Sequence, residues 1–168
     1  MEMEVNKIRY SITKYHFIQS IFAGLFITLI ILIGESFSNN VINAAIGSSV
    51  ALVFLHPKNA QNNFKSLVGG NCIAILSFLL LYFIFSIFNQ ELFVTINNKD
   101  FHIFSGLSLT LCLLLMSISD TEHIPAAGTS IGLSVHYFDF TLIVFILISI
   151  LSLYLLRVIA YKYGKNIF

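Results

Sequence analysis

Tryptophan is absent from this chain, cysteine and proline occur twice each, and only 10% of the 168 residues are charged. Each shortage excludes something. With so few charges and no long polar block, no material is left for a separate soluble domain, and residues 1–168 read as one unit. A net charge of +1 without a basic cluster excludes the electrostatic footprint of a nucleic-acid binder. Cys72 and Cys112 each fall inside an apolar stretch, where a thiol behaves as a small hydrophobe, so neither a structural disulfide nor a metal centre is expected. The usual catalytic motifs are missing as well: there is no Gly-x-Ser-x-Gly elbow, no His-Glu-x-x-His and no P-loop. The one acid–base cluster is Asp120 with Glu122-His123, and a hydrolase would need it to face a nucleophile such as Ser130. No enzyme and no cofactor are expected.

What is present is hydrocarbon. A chain that is 57% hydrophobic, with a mean hydropathy of +0.89, belongs to the integral membrane class. Its 17 phenylalanines read as lipid-facing bulk. About 20 helical residues cross about 30 Å of hydrocarbon, and four runs are long enough: 17–34, 66–88, 101–119 and 140–160. Two weaker and shorter segments, 41–55 and 124–137, lie between them. Lys7, Arg9 and Lys14 ahead of the first run imitate a signal peptide, but the run is too long and lacks a small-x-small cleavage site, so a retained helix is expected. Tyr10, Tyr15, Tyr154, Tyr161 and Tyr163 suit interfacial anchoring.

The order long-short-long, repeated once, predicts an all-α polytopic fold: four long helices plus two short or re-entrant ones in a 3+3 inverted repeat, with halves at about residues 10–90 and 95–165. Six spans with the N-terminus inside place Lys7, Arg9, Lys14, Lys58, Lys65, Arg157, Lys162 and Lys165 on the cytoplasmic side and Lys99 alone outside. A four-span version with both short segments re-entrant moves Lys58 and Lys65 out and Lys99 in, and fits nearly as well. A five-span version strands the C-terminal cations outside. An even number of crossings follows, with both termini cytoplasmic in a prokaryotic inner membrane.

The two short segments resemble one another. Gly47-Ser48-Ser49-Val50-Ala51-Leu52 and Gly128-Thr129-Ser130-Ile131-Gly132-Leu133 share three of six residues, and paired Gly-interrupted segments point to transporter binding sites. A short helix whose first turn is Gly with Ser or Thr offers free N–H groups and a positive dipole end. Two such ends meeting near the midplane would form an anion site, with hydroxyls from Ser48, Ser49, Thr129 and Ser130 and a charge from Lys65. The plainer alternative is that these are helix-packing faces and that Lys65 snorkels to the headgroups. Gly69 and Gly70, ahead of Asn71, would let another backbone approach closely or let the helix bend. His123 beside Glu122 is a proton relay or gate, or else an interfacial cap. His56 and His136 suit the interface, and Asp139 and Arg157 bracket the last run, Arg157 deep enough to want a partner.

Two stretches carry a family resemblance. His123-Ile124-Pro125-Ala126-Ala127-Gly128-Thr129-Ser130-Ile131 resembles the His-Pro-Pro-Ala-Gly-Ala-Thr-Ala-Leu signature of the HPP family of small integral membrane proteins. Upstream, Pro57 takes the first proline of that family's other block, Lys65 its arginine, Ser66 its asparagine, Gly69 and Gly70 its glycine pair and Asn71 its histidine. Ile124 replaces a proline, Ala127-Gly128 inverts Gly-Ala, and Lys65 lacks the bidentate fork of arginine. The resemblance implies a four-span, transporter-like protein for a small anion, nitrite in some plant and cyanobacterial members. The expected function is therefore a transporter or channel for a small inorganic anion, formed by several copies of the chain. The alternative is a non-transporting ligand-binding or scaffold subunit whose small-residue faces are oligomer contacts.

Overall fold

The computed structural model describes residues 14–36, 38–88, 98–135 and 138–163. Lys7, Arg9, Tyr10, His136 and Lys165 lie outside them. Among the described residues the chain forms six α-helices: α1 (Lys14–Gly34), α2 (Asn40–Leu55), α3 (Phe64–Phe88), α4 (Asn98–Ser119), α5 (Ile124–Ser134) and α6 (Phe140–Tyr163), with a 3-10 turn at Ala60–Asn62. Four of them, α1, α3, α4 and α6, are long and apolar enough to cross a membrane. At 1.5 Å per residue the 16 residues of α2 extend about 24 Å and the 11 of α5 about 16 Å. Neither matches the full hydrocarbon thickness of about 30 Å.

Local chemistry sets the helix ends. Asn39 caps α2, its side chain accepting from the Ile42 N–H, and it donates to the Gly132 carbonyl at 2.9 Å. After α2, Pro57 occupies the second position of a turn closed by Asn59 N–H to His56 O at 3.0 Å. Asn62, fully buried, donates its amide to the Leu52 and His56 carbonyls as a second hydrogen bond to each, tying the turn to the end of α2. Asn63 Oδ1 then accepts from the Ser66 N–H as α3 begins. At the end of α4, Asp120 is left-handed (φ 52°) and the Thr121 N–H reaches back to Met116 O, a Schellman closure. The Asp139 carboxylate accepts from the Thr141 N–H where α6 starts.

Contacts between distant residues fix the helix directions. Gly132 packs on Ile42, Gly128 on Ala45, and His123 on Ser49, so α2 and α5 are antiparallel neighbours. The start of α1 meets the end of α2 through Gln19 and Phe54, and the start of α3 meets the end of α4 through Lys65 and Asp120. Gly34 at the end of α1 rests against Phe145 near the start of α6. One face of the molecule therefore gathers the starts of α1, α3 and α5 with the ends of α2, α4 and α6. Lys58, Lys65, Arg157 and Lys162 lie toward that face, and Glu35 and Asp139 toward the other.

The short pair is central. Along α2, Ile42, Ala45, Ile46, Ser49, Val50 and Val53 are buried at helical spacing, against α5 on one side and α1 and α6 on others. The apolar core gathers Ile46, Val53, Leu67, Phe78, Ile146 and Leu153 around it. By contrast α1 exposes Phe17, Ile21, Phe22, Leu25, Leu29 and Leu32, as a lipid-facing helix does.

Candidate functional site

Two glycines bring the α4–α5 connection against α3. A Cβ on Gly70 would lie 2.8 Å from His123 Cβ and 2.9 Å from the Thr121 carbonyl, and one on Gly69 would lie 3.3 Å from Thr121 Cγ2. Only a bare backbone leaves that room. The loop so seated places His123, 1% exposed, between three elements. Its Nδ1 lies 3.1 Å from Gln61 O, and its Nε2 lies 3.0 Å from Ser49 Oγ on α2. A carbonyl can only accept, so Nδ1 carries the proton. Burial pushes the imidazole down to about 4, against the smaller opposing effect of the Gln61 hydrogen bond. Near neutral pH the ring is uncharged and Nε2 accepts from the Ser49 hydroxyl. The Ala45 carbonyl, 3.2 Å from Ser49 Oγ, is the hydroxyl's alternative acceptor. Protonating the ring would turn Nε2 into a donor and send the Ser49 hydrogen to Ala45.

The hydroxyls of α5 face α3 and α4. Thr129 Oγ1 donates to Asn71 Oδ1 at 2.9 Å, and the Asn71 amide donates back to Leu67 O. Ser130 Oγ lies 2.8 Å from Ser108 Oγ, and Ser134 Oγ donates to Ser105 Oγ at 3.1 Å. Such bonds between membrane helices stabilise by about 0.6 kcal/mol each on average.

A recess of about 370 Å³ opens where the end of α2 meets the start of α5. Ser48, His56 and Gln61 form its polar edge, Leu52 and Leu55 its apolar wall, and Ile124 and Pro125 its far side. The N-terminus of α5 that it reaches has no side-chain cap. Pro125 has no N–H to satisfy, and the Ala126 N–H donates to His123 O at 2.9 Å. The positive end of the α5 dipole points to this recess.

The sequence-selected residues are thus divided. Ser49, His123, Gly70, Asn71, Thr129 and Ser130 converge on the α2–α5 pair, and Ser48 faces the recess. Pro57 is buried in the turn below it. Glu122 is exposed. Lys65, 55% exposed, pairs with Asp120 Oδ2 at 2.8 Å at the molecular surface; its hydrogen bond and charge hold the Asp120 carboxyl below the usual carboxylate range. The expected meeting of two Gly-Ser/Thr helix N-termini needs correction. Gly47 and Gly128 sit in helix interiors, where N–H groups are taken by the preceding turn. Because α2 and α5 are antiparallel, their N-termini lie at opposite ends of the pair. Sequence reasoning overlooked Gln61, Asn62 and the α4 stripe of Ser105 and Ser108, which continues to Cys112. Helical spacing of small residues signals the stripe, and the run of asparagines at 59, 62 and 63 signals the caps. Among the described residues no group of His, Cys, Asp and Glu is placed to hold a metal ion.

A family model described as HPP, transmembrane region, matches residues 9–166. No curated protein and no solved structure matches the chain.

Proposed function

The chain belongs to the HPP transmembrane family, an integral membrane protein, and from that premise we propose that it passes a small inorganic anion across the bilayer, nitrite being the candidate the family resemblance suggests. The observation that carries this reading is the uncapped α5 N-terminus opening on a recess edged by Ser48, His56 and Gln61. A helix N-terminus attracts anions through its dipole, and α5, about 16 Å long, is too short to reach both surfaces of a 30 Å hydrocarbon layer. His123, behind the recess and tied to both short helices, is the gate. Lys65 and Asp120 at the surface form the approach. The inverted relation of the two halves belongs to the same reading, supported by the antiparallel α2–α5 pair at the centre. So do the cytoplasmic termini, a prokaryotic inner membrane and an assembly of several copies.

A second reading has its own support. Thr129, Ser130 and Asn71 are all engaged in helix–helix hydrogen bonds, as the small-residue faces of a scaffold or ligand-binding subunit would be. Flux of nitrite, nitrate, formate and chloride into liposomes holding the purified protein separates the two. Transport predicts selective flux that drops at least about tenfold in Ser48→Leu, which fills the recess. No flux of any anion from correctly folded protein sinks the transport reading and leaves the scaffold.

A further inference from the structure

The helices α1 and α6 touch at Gly34 and Phe145 and part toward the other end. Between them lies a wedge of about 580 Å³, lined on α1 from Ile18 to Leu29 and on α6 from Leu156 to Tyr163, with Phe54 at its floor. By contrast α3 packs directly on α4, the pair that would correspond to α6 and α1 if the halves are related. The α1 lining extends 11 residue steps, about 16 Å, or half of a 30 Å hydrocarbon core. That is one leaflet deep.

Charge completes the pattern. On α6 the lining residues Leu156, Ile159, Ala160 and Tyr163 form one stripe, and at 100° per residue Arg157 and Lys162 flank it on either side. Lys162 Nζ sits 5.1 Å from the ring of Tyr163, itself part of the lining. Arg157 stacks its guanidinium 4.8 Å over Tyr161, and its buried Nε has no hydrogen-bond partner. The residues lining the wedge include no acidic side chain. We propose that the α1–α6 wedge binds one anionic phospholipid of the surrounding leaflet, an acyl chain lying between the helices and the phosphate held at the mouth by Lys162 and Arg157. Basic pockets between membrane helices hold lipid headgroups in this way, and both side chains are long enough to snorkel to one phosphate. The inference is independent of the transport reading.

The test is native mass spectrometry of the full chain released from nanodiscs of equal phosphatidylglycerol and phosphatidylcholine with the same acyl chains. The expected result is one retained phosphatidylglycerol per chain, enriched about 25-fold over phosphatidylcholine, since each near-surface cation contributes about a fivefold preference. Arg157→Gln with Lys162→Gln should reduce that enrichment to about twofold or less. Ala160→Phe, which fills the wedge, should abolish retention of either lipid. Equal retention of the two lipids by the unaltered chain overturns the proposal, as does an Ala160→Phe protein that keeps its phosphatidylglycerol. A lipid-free dimer whose contact is lost in Ala160→Phe would assign the wedge to a second copy instead.

Discussion

His123 illustrates how one residue couples burial to pH. In an unfolded chain its imidazole titrates near 6.5, and in the fold burial lowers it to about 4. The folded state therefore binds fewer protons between those values. Its stabilising contribution is complete above about pH 6.5 and is lost as the pH falls through about 4, a loss of about 3 kcal/mol at most. Thermal unfolding in detergent should fall along that window, and His123→Gln should flatten the dependence; an unchanged profile would remove His123 as its source. Gly70 makes the second prediction. Adding a methyl group there meets His123 Cβ and the Thr121 carbonyl, so Gly70→Ala should destabilise by about 1–3 kcal/mol. Gly106, where an added Cβ would meet nothing within 4 Å, should accept alanine neutrally or gain up to about 1 kcal/mol. Equal melting temperatures for the two variants would contradict this contrast. Gly69-Gly70 was readable in the sequence as a place of close approach. The partner of Lys65 was not, because Asp120 lies 55 positions away and only the packing of α4 beside α3 joins them.

At the scale of elements, the hydropathy runs identified the four long helices and the two short segments nearly to their ends, because length and apolarity are local properties. How the short ones meet is a property of pairs. Antiparallel packing of α2 on α5 puts Gly128 over Ala45, with a Cβ position 3.1 Å from the Ala45 Cβ, and Gly132 over Ile42 at 2.5 Å. Leucine at 128 should force the pair apart and reduce the yield of monodisperse protein several-fold, the direction overpacking takes. A Gly128→Leu protein that purifies and melts like the parent would show that α2 and α5 do not press together there. The hydroxyls of Thr129 and Ser130 looked like ligand donors in the sequence, but a donor's partner depends on the opposing helix, and α3 and α4 supply Asn71 and Ser108.

For the whole molecule, the starts of α1, α3 and α5 share a face with the ends of α2, α4 and α6, so tags on the two termini should be accessible from the same side. Protease protection of one tag but not the other in sealed vesicles would refute the even number of crossings that the lysine and arginine pattern predicted. That pattern was legible because positive charge resists transfer across hydrocarbon. The inverted repeat was not, since three identities in six positions do not fix a rotation axis; superposing 14–88 on 98–163 tests it. Crowding Lys58, Lys65, Arg157 and Lys162 toward one face, with Glu35 and Asp139 toward the other, also has a practical effect. Protein added to preformed vesicles will enter with its sparsely cationic face leading, giving a population that points one way, so a flux measured from outside will sample one direction of travel and must be repeated with the gradient reversed.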